Sequence, residues 1–497
     1  MKLRSACKFL HLLTIIFTVI EAQLVDKSNK RKEISRFEPN WESLDSRELP
    51  KWYDESKIGI FIHWGVYSVP AFGTGLSAEW FWTIWRSWNV EDHVNFMKDN
   101  FKPGFTYQDF ARDFTGEHFN ATEWVQLFAE SGAKYVVITS KHHEGYTLWP
   151  SKYSFSWNSV DVGLHRDIIC EAFYLEVYLF NSDNVFSAEL SEACRVDNRI
   201  RFGVYHSLLE WYNPMYVSDR DSEFTQREFV EKKTIPELKE LVMKYKPDIV
   251  WSDGEWEASY EYWNATEFLA WLYNDSPVSE IVVTNDRWGN DTMCLHGGFF
   301  TCHDRFNPGV LQPYKWENAM TIDKLTWGHR NNAKLQDFLT SKELIKELVV
   351  TVSCGGNILI NVGPDKFGII QPIFAERLRD MGKWLSANGE AIYESQPWLY
   401  QNDTITPDVW YTQGASINLR RDVFAIVLDY PYDTNTVELY SLFGYTDENT
   451  TIHVLGYPES VQWRIVNESV QVTLPNKAQL DKRGLNLAWT LKINVPE

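Results

Sequence analysis

The chain is poor in cysteine and lacks the cysteine and histidine spacings that bind metals. Its 497 residues contain six cysteines. One of them, Cys7, lies in the N-terminal apolar stretch, and the remaining odd number excludes a disulfide-dense scaffold. Cys294 and Cys302 are close enough in sequence to be candidates for a disulfide across a loop, and at least one thiol should remain free. No Cys-x-x-Cys or His-Glu-x-x-His occurs, so we expect neither a metal nor a cofactor.

Positive charge is also scarce. Lysine and arginine total 48 against 68 aspartates and glutamates, which gives a formal net charge of -20. Such a chain is repelled by nucleic acid and by anionic membrane surfaces, so we expect neither as a partner. The sequence also lacks a Gly-rich phosphate loop and a Gly-x-Ser-x-Gly elbow, which argues against nucleotide-binding enzymes and serine hydrolases.

Long apolar runs are confined to the N terminus. Residues 9–20 are largely apolar and follow the basic Lys2 and Arg4. This run is too short to span a bilayer and is typical of a secretory signal peptide, so residues 1–22 are predicted to be cleaved. Residues 23–36, which are polar and basic, are expected to form a flexible lead-in. The mature protein is therefore predicted to enter the secretory pathway and to be lysosomal or secreted.

Seven Asn-x-Ser/Thr sequons fit a glycosylated secretory product. They lie at Asn120, Asn264, Asn274, Asn290, Asn402, Asn449 and Asn467. Pro277 follows the sequon at Asn274 and makes it the weakest acceptor of the set.

Short apolar runs alternate with amphipathic helical segments from residue 37 to residue 397. The predicted strands are 57–65, 134–143, 200–207, 249–251, 280–286 and 357–364, and predicted helices include 121–131, 235–245 and 373–386. This alternation predicts a parallel α/β arrangement closed into a (β/α)8-like barrel. Residues 398–497 instead show short alternating segments typical of an antiparallel β-sandwich, which we interpret as an accessory C-terminal domain.

One segment interrupts the alternation of strands and helices. Residues 172–187 are rich in aromatic residues and read as an insert between two regular elements. Apolar runs of this kind favour aggregation when exposed. The insert is either a surface excursion or a source of damage to the fold, because it precedes the strand that carries Tyr205.

Polar and aromatic side chains follow five predicted strands in turn. They are His63, the pair His142 and His143, Tyr205 with His206, Trp251 with Asp253, and the run from Asn285 to Arg287. In a (β/α)8 barrel the carboxyl ends of the strands carry the catalytic residues, so we expect these side chains to surround one pocket. For Asp253 alone, an equally simple reading is a cap of the next helix.

The types of residue around the predicted pocket narrow the choice of ligand and reaction. Aromatic residues make up 15% of the chain, including 23 tryptophans, and such rings suit the apolar faces of sugars. Histidine, tyrosine, arginine and carboxylates suit a neutral ligand with many hydroxyl groups. Glycoside hydrolysis requires two carboxyl groups, one to attack or to activate water and one to protonate the leaving oxygen. We expect the second to be kept protonated by burial and by its acidic partner, with best activity at mildly acidic pH.

Several ordered motifs carry a family resemblance. They are FIHWGVYSVPAF, AEWF, KHHEGYTLW, HRD, GVYHSLLEW, WSDGEW, NDRWG, KWEN and SCGGNILINVGP. Together they resemble glycoside hydrolase family 29, the α-L-fucosidases, and in particular the animal tissue or lysosomal type. The resemblance implies a retaining exo-glycosidase that removes terminal α-L-fucose from glycoproteins, glycolipids or oligosaccharides. It also implies a homo-oligomer, often a tetramer.

The same resemblance assigns residues. It implies that Asp253 is the nucleophile, that Asp304 is the first choice for the acid/base, and that Glu317 is the second choice. The residues implied to bind fucose are His63, Glu79, Trp80, His142, His143, Tyr205, Trp251 and Arg287. For Trp80, simple core packing is an equally good reading.

Two departures keep other functions open. The motif around KWEN usually places a cysteine where this chain has Ala319, and the insert at 172–187 has no counterpart in the family pattern. A catalytically impaired, lectin-like fucose-binding protein is therefore one alternative. A relative that cleaves another glycoside within the same barrel class is a further one.

Overall fold

A computed structural model describes residues 36–75, 77–169, 190–417 and 420–496. The predicted signal peptide, residues 23–35 of the lead-in and the predicted insert at 172–187 lie outside the described residues. The helices are α1 (Trp41–Leu44), α2 (Lys51–Ser56), α3 (Glu91–Asn100), α4 (Ala121–Glu130), α5 (Leu190–Asp197), α6 (Pro214–Asp221), α7 (Ile235–Tyr245), α8 (Tyr260–Trp263), α9 (Ala265–Asn274), α10 (Ser341–Ser353), α11 (Pro372–Asn388) and α12 (Lys477–Asp481).

The strands of the first domain are β1 (Ile58–Ile62), β2 (Tyr135–Lys141), β3 (Arg201–Ser207), β4 (Ile249–Asp253), β5 (Val283–Thr284), β6 (Trp316–Thr321) and β7 (Gly356–Val362). Those of the second are β8 (Gln396–Asn402), β9 (Val409–Ile417), β10 (Arg420–Val427), β11 (Thr436–Leu439), β12 (Thr451–Val454), β13 (Trp463–Val466), β14 (Ser469–Thr473) and β15 (Trp489–Pro496).

The first seven strands form one parallel sheet in the order β5-β4-β3-β2-β1-β7-β6. The segment at Phe299 and Phe300 links its two edges. Phe299 N donates to Thr284 O at the end of β5, and Phe300 N donates to Lys315 O beside β6. The curled sheet confirms the predicted barrel class. Strand β6 was not among the strands predicted from the sequence, because its residues WENAMT carry three polar side chains and resemble no apolar run.

Burial explains why these segments are strands. Each residue of β1, β2, β6 and β7 is buried, as expected for parallel strands covered on both faces. Large side chains from neighbouring strands, among them Phe61, Tyr135, Tyr205 and Trp251, fill the interior of the curled sheet. This packing closes the lower part of the barrel and leaves only the carboxyl ends of the strands free for a ligand.

Ile168 and Leu190, which lie on either side of the predicted insert in the sequence, are in contact in the fold. Leu190 N, at the start of α5, donates a 3.2 Å hydrogen bond to Ile168 O. Beyond α5, β3 pairs with β2 from Tyr135↔Arg201 to Thr139↔Tyr205. The register then shifts once, between Thr139 and Lys141, at the end of β2. That the insert shifts the strand carrying Tyr205 stays a prediction.

The second domain consists of a five-stranded antiparallel sheet, β12-β15-β10-β9-β8, and a three-stranded sheet, β11-β14-β13. Both sheets contribute to one apolar core, for example Ile493 from the first and Val470 from the second. This arrangement confirms the predicted β-sandwich. Within the described ranges, none of the helices combines the length and apolar character needed to cross a bilayer.

Candidate active site

A small cavity of about 80 Å³ lies where the strands of the barrel end. Every residue to which the family resemblance assigned a role lines it, except Glu317. The sequence also predicted His206, Asn285 and Asp286 around this pocket, and this prediction is wrong, because their side chains are fully buried and bond to Glu237, Ser252 and Thr301. The lining residues are Phe61, His63, Glu79, Trp80, His142, His143, Tyr205, Trp251, Asp253, Trp256, Arg287, Asp304 and Trp327. The sequence did not single out Phe61, Trp256 or Trp327 as site residues. Trp256 belongs to the WSDGEW motif and was detectable there, whereas Trp327 lies outside every motif quoted from the sequence.

Asp253 is the last residue of β4 and faces the cavity. Its Oδ2 accepts a 2.7 Å hydrogen bond from the Tyr205 hydroxyl. Burial, and then the negative charge of Asp253, raise the pKa of Tyr205 well above its usual value, so the phenol stays a donor. The reading of Asp253 as a helix cap is wrong, because the next helix begins at Tyr260 and its N-cap is Ser259.

Arg287 holds two carboxylates at once. Its Nη1 donates to Asp253 Oδ1 at 3.0 Å, and its Nη2 donates to Asp304 Oδ1 at 2.7 Å. Burial alone lowers the pKa of Arg287, but Asp304 and Asp253 raise it well above the usual value, so the guanidinium stays charged. The same group lies over the Trp251 ring, 4.8 Å from its centroid. One planar cation therefore sets the relative position of the two carboxylates.

The loop that carries Asp304 is anchored by Asp286 and a disulfide. Cys294 and Cys302 form this disulfide, which confirms the pair that the sequence suggested. The buried Asp286 carboxylate accepts from both of their backbone amides, at 2.8 and 3.1 Å, and from the Thr301 hydroxyl at 2.6 Å. The same Thr301 oxygen accepts from Arg287 Nε at 3.0 Å. Asp304 is thus placed by contacts that begin at the strand end of β5.

Asp304 differs in one respect from the expectation. The sequence predicted a second carboxyl kept protonated by burial, but the Asp304 side chain is 49% exposed and paired with a cation. The expectation of burial is wrong for this residue, because the loop after Cys302 carries it to the mouth of the cavity. The Asp304 carboxyl group is therefore in contact with solvent at the mouth of the cavity.

Glu317 lies on β6 and is not among the residues that line the cavity. It is buried inside the barrel, where it accepts from the hydroxyls of Tyr53 and Tyr135, each at 2.7 Å, and from Trp251 Nε1 at 3.0 Å. Burial raises its pKa. Its hydrogen bonds join the aromatic core to the ring of Trp251, so Glu317 supports the floor of the cavity from below.

Two histidines of the cavity are neutral, and their hydrogen bonds decide which nitrogen carries the proton. The Asn361 amide nitrogen donates to Thr321 Oγ1 and to Trp327 O, so its oxygen accepts from His63 Nδ1 at 2.7 Å. Burial, and then His142, lower the pKa of His63 well below its usual value. This leaves His63 Nε2 as an acceptor for a ligand hydroxyl.

His143 has the same tautomer for a different reason. Ser207 Oγ donates to Leu209 O and therefore accepts from His143 Nδ1 at 2.7 Å. Burial, followed by His142, lowers the pKa of His143 well below its usual value. His143 Nε2 then lies 3.6 Å from Asp253 Oδ2, with no proton between the two acceptors. A ligand hydroxyl that donates to this pair would relieve that contact.

Glu79 and Trp80 complete the wall of the cavity. Three donors converge on Glu79 Oε2, namely Thr326 Oγ1, Trp327 N and Gly328 N, at 2.9 to 3.2 Å. They fix the carboxylate and leave Oε1 for a ligand. The Trp80 ring stacks on Trp256 with centroids 5.7 Å apart, at the rim of the cavity. Trp80 therefore has both packing and lining roles.

Glu255 is a residue whose role the sequence did not predict. It is fully buried, and neither carboxyl oxygen has a hydrogen-bond partner among the described residues. Burial first, and then the negative charge of Asp253, raise the pKa of Glu255 to about 8. Glu255 is therefore neutral at pH 7, and Asp253 is spared a second negative charge beside it. The folded protein buries Glu255 near Asp253, so Glu255 stays protonated. The sequence alone does not show this environment.

This neutral carboxyl predicts a pH effect on stability. Between its ordinary pKa of 4.5 and about 8, the unfolded chain loses a proton that the folded protein keeps, so the stabilisation present at low pH is lost as pH rises. Glu255→Gln removes this loss, which amounts to about 1.4 kcal/mol per pH unit at most. Urea unfolding at pH 5 and pH 8 should show the wild type losing more stability than Glu255→Gln. The exposed Glu261→Gln serves as control, and parallel losses in all three proteins would contradict the account.

Comparison with known proteins identifies relatives along most of the chain. A sequence model described as alpha-L-fucosidase matches residues 24–175 and 181–390, and one described as the alpha-L-fucosidase C-terminal domain matches residues 401–494. The unmatched residues 176–180 fall within the predicted insert. The plasma alpha-L-fucosidase of Homo sapiens is 51% identical over 465 residues, and the human tissue alpha-L-fucosidase is 48% identical over 461 residues. Each alignment covers 92% of both chains.

A solved structure agrees with the fold described above. The Thermotoga maritima alpha-fucosidase in complex with a mechanism based inhibitor superposes with a TM-score of 0.75 at 30% identity. The match covers 93% of this chain and 100% of that one. The likeness spans both domains, so it supports the barrel and the sandwich together.

Proposed function

The chain belongs to the α-L-fucosidase family, and we propose that it hydrolyses terminal α-L-fucosides by double displacement with Asp253 as nucleophile. The observation that carries this assignment is the Arg287 guanidinium, which binds Asp253 and Asp304 on its two terminal nitrogens. In retaining enzymes the two carboxyl groups lie only about 5–5.5 Å apart. The shared guanidinium, with one carboxylate on each terminal nitrogen, supports the assignment of Asp253 and Asp304 as such a pair.

The proposed reaction has two steps. In the first, Asp304, which takes up a proton from solvent at the mouth of the cavity beforehand, gives this proton to the departing glycosidic oxygen while Asp253 attacks the anomeric carbon, which leaves a fucosyl ester on Asp253. In the second, the Asp304 carboxylate takes a proton from water, the hydroxide oxygen bonds to the anomeric carbon, and Asp253 is released as a carboxylate. The mechanism based inhibitor held by the Thermotoga maritima relative fits this covalent route.

We propose Asp304 rather than Glu317 as the acid/base. Asp304 lines the cavity and is half exposed at its mouth, where a leaving group departs and water enters. Glu317 accepts three hydrogen bonds below the floor and lines none of the cavity. The Glu317 carboxyl group, which is bound by three donors and does not line the cavity, is therefore not placed to protonate the glycosidic oxygen.

The remaining predicted residues are proposed to bind the sugar. The unprotonated Nε2 atoms of His63 and His143 and the Glu79 carboxylate are hydrogen-bond acceptors, which suits a ligand whose hydroxyls donate. Trp80 and Trp251 offer apolar faces to the ring and its methyl group. The alternative of a lectin-like protein without catalysis is not favoured, since both Asp253 and Asp304 line the cavity.

The exposed sequons support a secretory origin. Asn290, Asn402, Asn449 and Asn467 are exposed, as acceptors of glycans must be. The relatives include a plasma and a tissue enzyme, so we propose a secreted or lysosomal protein. Assembly as a homo-oligomer, a tetramer by family resemblance, is part of the same proposal and is measured by light scattering.

Replacing the nucleophile tests the first assignment. Asp253→Gly should lower kcat for an aryl α-L-fucoside by roughly 10³-fold or more while fucose still binds. Sodium azide should restore part of the rate, because the small anion enters the space left by the carboxylate and forms the β-fucosyl azide. Asp433→Gly, which removes an exposed carboxylate of the second domain, should behave as wild type. Near-normal activity of Asp253→Gly would remove this residue from the nucleophile role.

Leaving-group dependence separates the two candidate acids. Without a proton donor, kcat/KM falls more for substrates with poor leaving groups than for those with activated ones. Asp304→Asn should therefore steepen the dependence of kcat/KM on the leaving-group pKa. Glu317→Gln should lower Tm, since it disturbs three buried hydrogen bonds, but leave that dependence as in the wild type. A steepened dependence in Glu317→Gln with none in Asp304→Asn would reverse the assignment.

A further inference from the structure

A second, larger cavity of about 730 Å³ lies outside the catalytic cavity, against α3 and the segment that follows it. Its walls combine aromatic rings, including Trp82, Phe101 and Tyr212, with the cations Arg86, Lys98 and Lys102. Among the described residues that line it there is no aspartate and no glutamate. This is an unusual composition for a chain with a net charge of -20.

The three cations of this cavity are exposed and available to a ligand. Within the described part of the chain, none of them forms a salt bridge with an acidic side chain. Asp109 is an acidic neighbour of Lys102, but its carboxylate is already held by the backbone amide and the hydroxyl of Thr106, which are the main cause of its lowered pKa. Three positive charges that face a concave surface concentrate anions there.

A row of tryptophan rings connects the two cavities. Trp80, which lines the catalytic cavity, has its ring centroid 5.4 Å from that of Trp211, and Trp211 stacks on Trp82 at 5.9 Å. Trp82 lines the larger cavity. In the other direction Trp80 stacks on Trp256, which is 37% exposed. Trp211 is buried, so these ring contacts place the two cavities side by side. The half-buried indoles of Trp80 and Trp82, one in each cavity, offer flat apolar surfaces to the sugar rings of a glycan that extends from the first cavity to the second.

We propose that the larger cavity binds a carboxylate-bearing sugar of the same glycan whose terminal fucose occupies the catalytic cavity. The proposal rests on the proposed function, because fucose bound in the catalytic cavity fixes one end of the glycan. The planar Arg86 guanidinium pairs with a carboxylate through two parallel hydrogen bonds, and Lys98 and Lys102 add positive charge around it. Binding there selects acidic glycans over neutral ones of the same length.

The test compares two fucosylated oligosaccharides that differ only in a terminal carboxylated sugar. The double variant Arg86→Ala with Lys102→Ala should lower the ratio of kcat/KM for the acidic over the neutral oligosaccharide by about tenfold. Arg379→Ala with Lys383→Ala removes two exposed cations from α11 and is the matched control for net charge. That control should keep the wild-type ratio.

An aryl α-L-fucoside, which has no further sugars, should be hydrolysed equally by all three proteins, so failure of catalysis is distinguished from failure of the second site. The wild-type ratio should also fall as sodium chloride is raised, because salt screens exposed charges. An unchanged ratio in the first double variant, or an equal fall in both, would overturn the proposal. Preference for a sulfated over a carboxylated oligosaccharide would overturn the assignment of the carboxylate.

Discussion

The position of one guanidinium sets the geometry of the catalytic cavity. Arg287 is buried, charged, and bonded to Asp253 at the end of β4 and to Asp304 on a loop. Two carboxylates bound to one guanidinium repel each other, and the cation between them offsets that repulsion. The neutral state of Glu255 serves the same balance, because one arginine already binds two carboxylates and a third negative charge would add to the uncompensated one.

The rest of the barrel serves to hold this arrangement. Asp286, two residues beyond β5, accepts hydrogen bonds from the backbone amides of Cys294 and Cys302 in the disulfide-closed loop. These bonds position the loop that ends at Asp304. Glu317 and its tyrosines hold the Trp251 ring against which Arg287 lies. The residues that touch a ligand are therefore few, while the residues that orient them extend through the interior of the sheet.

Much of the barrel and of its catalytic cavity could be predicted from the sequence, because both depend on local patterns of apolar and polar residues. Apolar strands followed by His63, His142 and Asp253 indicated both the barrel and its active end. Contacts between distant segments could not be predicted in this way. The polar segment of β6 was not predicted as a strand. Glu317 was kept as the second choice for the acid/base, because its burial beneath Trp251 depends on tyrosines from α2 and β2. The neutral Glu255 has the same origin, since only the folded environment raises its pKa.

The central claim is that Asp253 and Asp304 act as a close pair held by Arg287, and the configuration of the first product tests it most directly. Proton NMR during early hydrolysis of an aryl α-L-fucoside resolves the α- and β-anomers of free fucose before they interconvert. A close pair requires two displacements, so α-fucose should appear first. Appearance of β-fucose first would mean a single displacement by water, and the account of a covalent intermediate on Asp253 would be wrong.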